Sequence, residues 1–205
     1  MDKDYSIDDI QALSPAESIR LRPRLYFDKC FSEGTLDALP FELLCHAFDE
    51  YFDGSCKSVE ISVAQDSFTV RYDAGISLAP RYENDPQSIA EIIMTQIAAC
   101  KHEKKHLSVG EEFCNLGMAT INFAAERCEL ETVFNHKKGH FIFEKGKTIS
   151  SIIEAVENET DYSRIYLKPD KSLFENLPLT LEGIREKAKQ VGSKLTDLSI
   201  MVIDK

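Results

Sequence analysis

The chain has 205 residues, 43% hydrophobic and 29% charged, the make-up of a globular domain able to bury one good core. A formal charge of −11 works against unassisted binding to a nucleic-acid backbone, and no apolar run approaches the roughly 20 residues of a membrane span. There is no basic-plus-apolar leader, and the six cysteines are scattered without a Cys-x-x-Cys pair, so the expectation is a cytoplasmic protein with reduced thiols.

Residues 1–16 are polar and acidic without periodicity and read as an N-terminal arm, followed by one domain over 17–205. Ser14-Pro15-Ala16-Glu17 carries a cap, a proline at the first helical position and an acid at the third, which predicts a helix start. Pro23 ends that helix, and Arg22–Phe27 reads as extended. A turn-rich loop around Gly34 leads to a long amphipathic helix over 37–53. Phe41, Leu44, Cys45, Phe48, Tyr51 and Phe52 share one side of it, and Glu42, His46, Asp49 and Asp53 form a polar stripe beside them.

Alternation over Val59, Ile61 and Val63, and again over Phe68, Val70 and Tyr72, predicts a hairpin that runs into Asp73-Ala74-Gly75-Ile76-Ser77. Helical spacing returns over 87–100, a charged connection spans 101–112, and 113–125 reads as a third helix. A second hairpin, 129–134 with 140–144, is followed by a short segment at 148–155 and a strand at 163–167. A last helix over 181–194 and a terminal strand over 198–203 complete the pattern. Helices and mostly antiparallel strands in one unit predict a two-layer α/β sandwich with helices on one face of a mixed sheet.

Several of these segments carry a resemblance. Ser18–Tyr26, Phe41–Glu50, Val70–Leu78, Ile93–Ala99 and Leu116–Asn122 resemble, in order, the motifs of the ATP-binding domain of DNA gyrase B and topoisomerase IV subunits, in the GHKL (Bergerat-fold) superfamily. The resemblance implies ATP as ligand, with Glu42 as the general base that orients the attacking water. It implies that Asp73 accepts from the adenine amine with Ser163 in support. It further implies nucleotide contacts from Asp49, Gly75, Ile76, Ser77, Ile93 and Gly117.

Departures from the family pattern narrow that expectation. The Mg²⁺-binding asparagine is replaced by His46, and imidazole suits softer metals than magnesium. The glycine-rich lid is here Glu111-Glu112-Phe113-Cys114-Asn115-Leu116-Gly117, in which only Gly117 keeps a lid glycine. The pattern therefore implies ATP binding with weak or absent hydrolysis, or else a pseudo-ATPase. Such a pseudo-ATPase keeps the fold as an interaction module, as a homodimer or with a gyrase-type subunit through its arm. The basic cluster Lys101, His102, Lys104, Lys105 and His106 is either a solvated run or an anion holder in place of the lost glycines. His102-Glu103-Lys104-Lys105-His106 also fits H-E-x-x-H, the pattern of a zinc hydrolase, as a distant third reading.

Overall fold

Val59, Ile61 and Val63 on β1 (Ser58–Val63) point to one side of the strand and Ser58 and Glu60 to the other, and this alternation fixes which face of the sheet is covered. The computed structural model describes residues 12–99, 103–110 and 113–205. With β2 (Phe68–Tyr72), β3 (Ala125–Phe134), β4 (Lys137–Glu144), β5 (Lys147–Ala155), β6 (Tyr162–Pro169) and β7 (Ser199–Asp204), β1 forms a seven-stranded sheet in the order β5-β4-β3-β6-β2-β1-β7. Every neighbouring pair is antiparallel except β1 with β7.

Helices cover the apolar face. They are α1 (Pro15–Leu21), α2 (Pro23–Tyr26), α3 (Asp28–Glu33), α4 (Leu39–Glu42), α5 (Cys45–Phe52), α6 (Ile89–Thr95), α7 (Met118–Phe123), α8 (Lys171–Phe174) and α9 (Leu181–Lys194). Phe27, Phe41, Phe48, Phe68, Phe141 and Phe143 fill the layer between helices and sheet. The opposite face carries cross-strand neighbours of charge, Glu60 beside Arg71, Arg71 beside Arg164, Arg164 beside Glu131 and Glu131 beside His140. The predicted two-layer architecture, mostly antiparallel with helices on one face, is the observed one.

Local departures from the sequence reading have identifiable causes. Arg22–Phe27 is not extended: Pro23 sits at the first position of α2, where its fixed φ suits a helix, and the Phe27 N–H returns to the Pro23 carbonyl at 2.8 Å. The Ser14 capping box on α1 forms as expected. The long helix over 37–53 is interrupted at Leu43 and Leu44, where the Leu44 N–H reaches back only three residues, to Phe41. The third helix starts only at Met118, because Cys114 and Gly117 both adopt positive φ ahead of it. The segment at 148–155 is a full edge strand, β5. Residues 1–11 of the arm, together with Lys101, His102, Glu111 and Glu112, lie outside the described residues; Pro15 and Ala16 of the arm belong to α1.

Candidate nucleotide site

Two adjoining hollows open between α5, the end of α6 and the loops that follow β2 and precede α7. The first, about 300 Å³, is lined by His46 and Asp49 of α5, Ile93 of α6, Lys104, His106 and Gly117, among others. The second, about 720 Å³, is lined by His46, Glu50, Gly75, Ile76, Ser77, Arg81, Ile93 and Gln96 among others, and five of its fourteen lining residues are isoleucine. Both volumes are of the order that small-molecule sites use. His46 and Ile93 belong to both walls.

Of the residues singled out from the sequence, His46, Asp49, Gly75, Ile76, Ser77, Ile93 and Gly117 are brought to these walls. Glu42, Asp73 and Ser163 are not among the lining residues. The polar stripe expected on one helix is interrupted at the tightened turn of Leu43 and Leu44, with Glu42 at the end of α4 and His46 and Asp49 on α5. Glu42 instead borders a hollow shared with Tyr26, Lys29 and Asn115.

Glu42 is buried, and its carboxylate accepts the Leu116 N–H at 2.8 Å with further backbone N–H groups from Gly117 and Asn115. Burial pushes its pKa up to about 7 against the opposing pull of those amides. The backbone at Asn115–Gly117 thus turns toward Glu42, and the Leu116 amide is taken up by the chain's own side chain.

Asp73 requires a correction. On β2 Phe68, Val70 and Tyr72 are almost completely buried against the helices and Arg71 is exposed, so the residue after Tyr72 turns to the charged face of the sheet. Asp73 is exposed there, and its Oδ1 accepts the N–H groups of Lys57 and Ser58, both at 2.9 Å. Its slight burial favours the neutral form, yet the Ser58 and Lys57 amides outweigh that and hold the carboxyl below its usual range. Tyr72, not Asp73, is the cross-strand neighbour of Ser163 on the helix-covered face. The one-residue offset, with period-two alternation, puts a phenol where the resemblance implied a carboxylate. The Tyr72 ring lies 5.8 Å from the His46 ring, centroid to centroid.

Ser163 and Gly75 hold the loop after β2 in place. The Ser163 hydroxyl donates to the Ala74 carbonyl at 2.8 Å and lies 2.9 Å from the Thr132 hydroxyl, which in turn accepts the Ile76 N–H. At Gly75 an added Cβ would stand 2.0 Å from the Val133 carbonyl oxygen, so a glycine is needed for the loop to lie against β3. Gly117, with φ of 77°, faces open space.

The described part of the basic cluster packs on α5 through His106 and Lys105. The His106 N–H donates to Asp49 Oδ1 at 2.7 Å while His106 Nδ1 lies 2.9 Å from Oδ2, all of it buried. Lys105 Nζ pairs with Asp53 at 2.6 Å. Two acids of the predicted stripe are therefore anchors for the 103–110 segment. That segment forms a 3₁₀ turn at Lys105–Val109, not the α-helix an H-E-x-x-H motif needs, and His106 already engages Asp49.

The donor set does not suit magnesium. His46 presents an imidazole whose Nε2 stands 3.4 Å from Glu50, and both Asp49 oxygens are engaged by His106. Among the described residues no group of three His, Cys, Asp or Glu converges on a metal position. Gln96, Arg81 and Glu50 are polar members of the walls given no site role from the sequence. Gln96 fell inside the helix read over 87–100, whereas α6 ends at Thr95 with Gln96 as its cap, and Arg81 was only a charge in a loop.

No protein-family model matches the chain. The DNA gyrase B protein of Archaeoglobus fulgidus is 25% identical over 98% of this chain and 32% of its own length. The DNA topoisomerase 4 B protein of Caulobacter vibrioides is 29% identical over 83% of the chain and 25% of its own length. The chain thus spans about a third or less of these relatives. Among solved structures, the crystal structure of the 43K ATPase domain of Thermus thermophilus gyrase B in complex with an aminocoumarin aligns with a TM-score of 0.70 at 20% identity. That alignment covers 92% of this chain and 48% of the other.

Proposed function

For a chain whose homologues are the B proteins of DNA gyrase and topoisomerase IV, built on the fold of the gyrase B ATPase domain, we propose a pseudo-ATPase that keeps this fold as an interaction module and does not turn over ATP. The observation that carries this is the face on which Asp73 lies. A carboxylate that bonds Lys57 and Ser58 on the charged side of the sheet has no path to an adenine between α5 and α6. Glu42 supports the same conclusion, since its Oε2 is held by the Leu116 amide and burial raises its pKa to about 7, which weakens it as an ionised base. The Leu116 amide is in turn unavailable to a phosphate while Glu42 holds it. The charge of −11 opposes direct DNA contact, so the partner is a protein, a second copy or a gyrase-type subunit, engaged through the N-terminal arm.

A thermal-shift titration with ATP and Mg²⁺ tests this. A ligand at a hundred times its Kd adds about 2.7 kcal/mol of stability, so a bound nucleotide gives a rise of several degrees. The expected result is no shift, no phosphate release, and identical behaviour of Asp73→Asn. The 720 Å³ hollow supports one second reading, nucleotide binding without hydrolysis, with Glu50 beside His46 as the acceptor. A shift abolished by Glu50→Gln and untouched by Asp73→Asn would establish that reading and overturn the first.

A further inference from the structure

The geometry points to β5 as a self-pairing edge, through which two copies of this chain join their sheets antiparallel about Ser151. β5 is nine residues long, ends the sheet, and among the described residues pairs only with β4. Ile149, Ile152 and Ile153 are 58%, 55% and 43% exposed along it, a run of apolar side chains beside an open row of backbone groups. Its only charged residues stand near opposite ends, Lys147 and Glu154.

The pairing with β4 fixes which face each β5 residue takes. Phe141 and Phe143 are fully buried, so their neighbours Ser151 and Thr148 lie on the helix-covered face, as does Ile153 opposite Gly139. Lys147, Ser150, Ile152 and Glu154 lie on the charged face, opposite Glu144, Ile142, His140 and Lys138. Ile149 has no partner between Ser150 and Thr148 and is the bulged residue. Directly opposed residues of an antiparallel pair must share a face. In a strand of unbroken alternation, Lys147 and Glu154, seven apart, would fall on opposite faces. The bulge shifts the alternation by one and returns them to the same face.

A two-fold pairing centred on Ser151 then sets Ser150 against Ile152, Thr148 against Ile153 and Lys147 against Glu154, each pair on one face. Lys138, Glu154, Lys147 of the second copy and Glu144 of the second copy follow one another in alternating sign across the junction. A parallel pairing in register would instead set lysine on lysine and glutamate on glutamate. The occupant favoured by this pattern is a second copy.

Sedimentation velocity over a concentration series of the full chain tests the proposal. A dimer is expected, and Ile152→Lys makes it monomeric. Lys147→Glu alone and Glu154→Lys alone each weaken the dimer roughly tenfold, since two cross-strand pairs turn from attractive to repulsive. The double swap Lys147→Glu with Glu154→Lys restores the parent affinity. All four variants alter exposed side chains, so unchanged circular dichroism and melting separate loss of pairing from loss of fold. A chain monomeric at every concentration overturns the proposal. So does a dimer indifferent to the charge swaps.

Discussion

Glu42 is a buried carboxyl whose oxygen accepts the Leu116 amide. Its pKa near 7 in the folded chain lies above the ordinary carboxylate value of 4.5, so the folded state holds a proton that the unfolded state has released. The stability linked to this group is therefore complete below about pH 4.5 and is lost as pH rises through about 7. Glu42→Gln, which imitates the protonated form and keeps an acceptor for the Leu116 amide, is expected to flatten that slope in urea denaturation. At pH 8 it should be more stable than the parent by about 1–3 kcal/mol. A variant with the parent's pH profile would place the titration elsewhere. At Gly75 the expectation is steric: Gly75→Ala drives a methyl into the Val133 carbonyl and costs about 1–3 kcal/mol, read from the denaturation midpoint.

The polar stripe on α5 is the element where sequence and structure diverge most usefully. Helical spacing grouped Glu42, His46, Asp49 and Asp53, and for the last two the grouping has a structural use, as anchors for His106 and Lys105. Glu42 left the group because two residues, Leu43 and Leu44, tighten the turn. Both are ordinary helix formers, so nothing in their identity announces a break, and the reason lies in the packing around them. Asp49→Ala strands the buried His106 amide and imidazole, a cost of about 1–3 kcal/mol. Hydrogen exchange should rise across residues 103–110 while strands β1, β2 and β6 stay protected. Protection unchanged at 103–110 would mean that other contacts hold the segment.

For the molecule as a whole, the ancestry shared with the gyrase B proteins is carried by the fold, and the chemistry by very few positions. The larger hollow has His46, Gly75, Ile76, Ser77 and Ile93 on its walls, residues to which the resemblance gave a site role. Its occupant is decided by which faces a handful of side chains take. The predicted absence of an ATP-induced melting shift belongs to this scale, because binding to the native state alone would raise the stability of the whole cooperative unit.

Period-two and helical patterns, caps and turn residues were enough to place the hairpin β1–β2, the last helix at 181–194 and the two-layer arrangement, since those signals are local and repeat along the chain. The segment at 148–155 was visible as a segment but not as an edge strand, because edge position depends on partners far away in sequence. Asp73 is the sharpest case. Its residue type and motif were legible, whereas its side of the sheet was fixed by Tyr72 taking the place beside Ser163, a cross-strand contact that exists only once the sheet has formed.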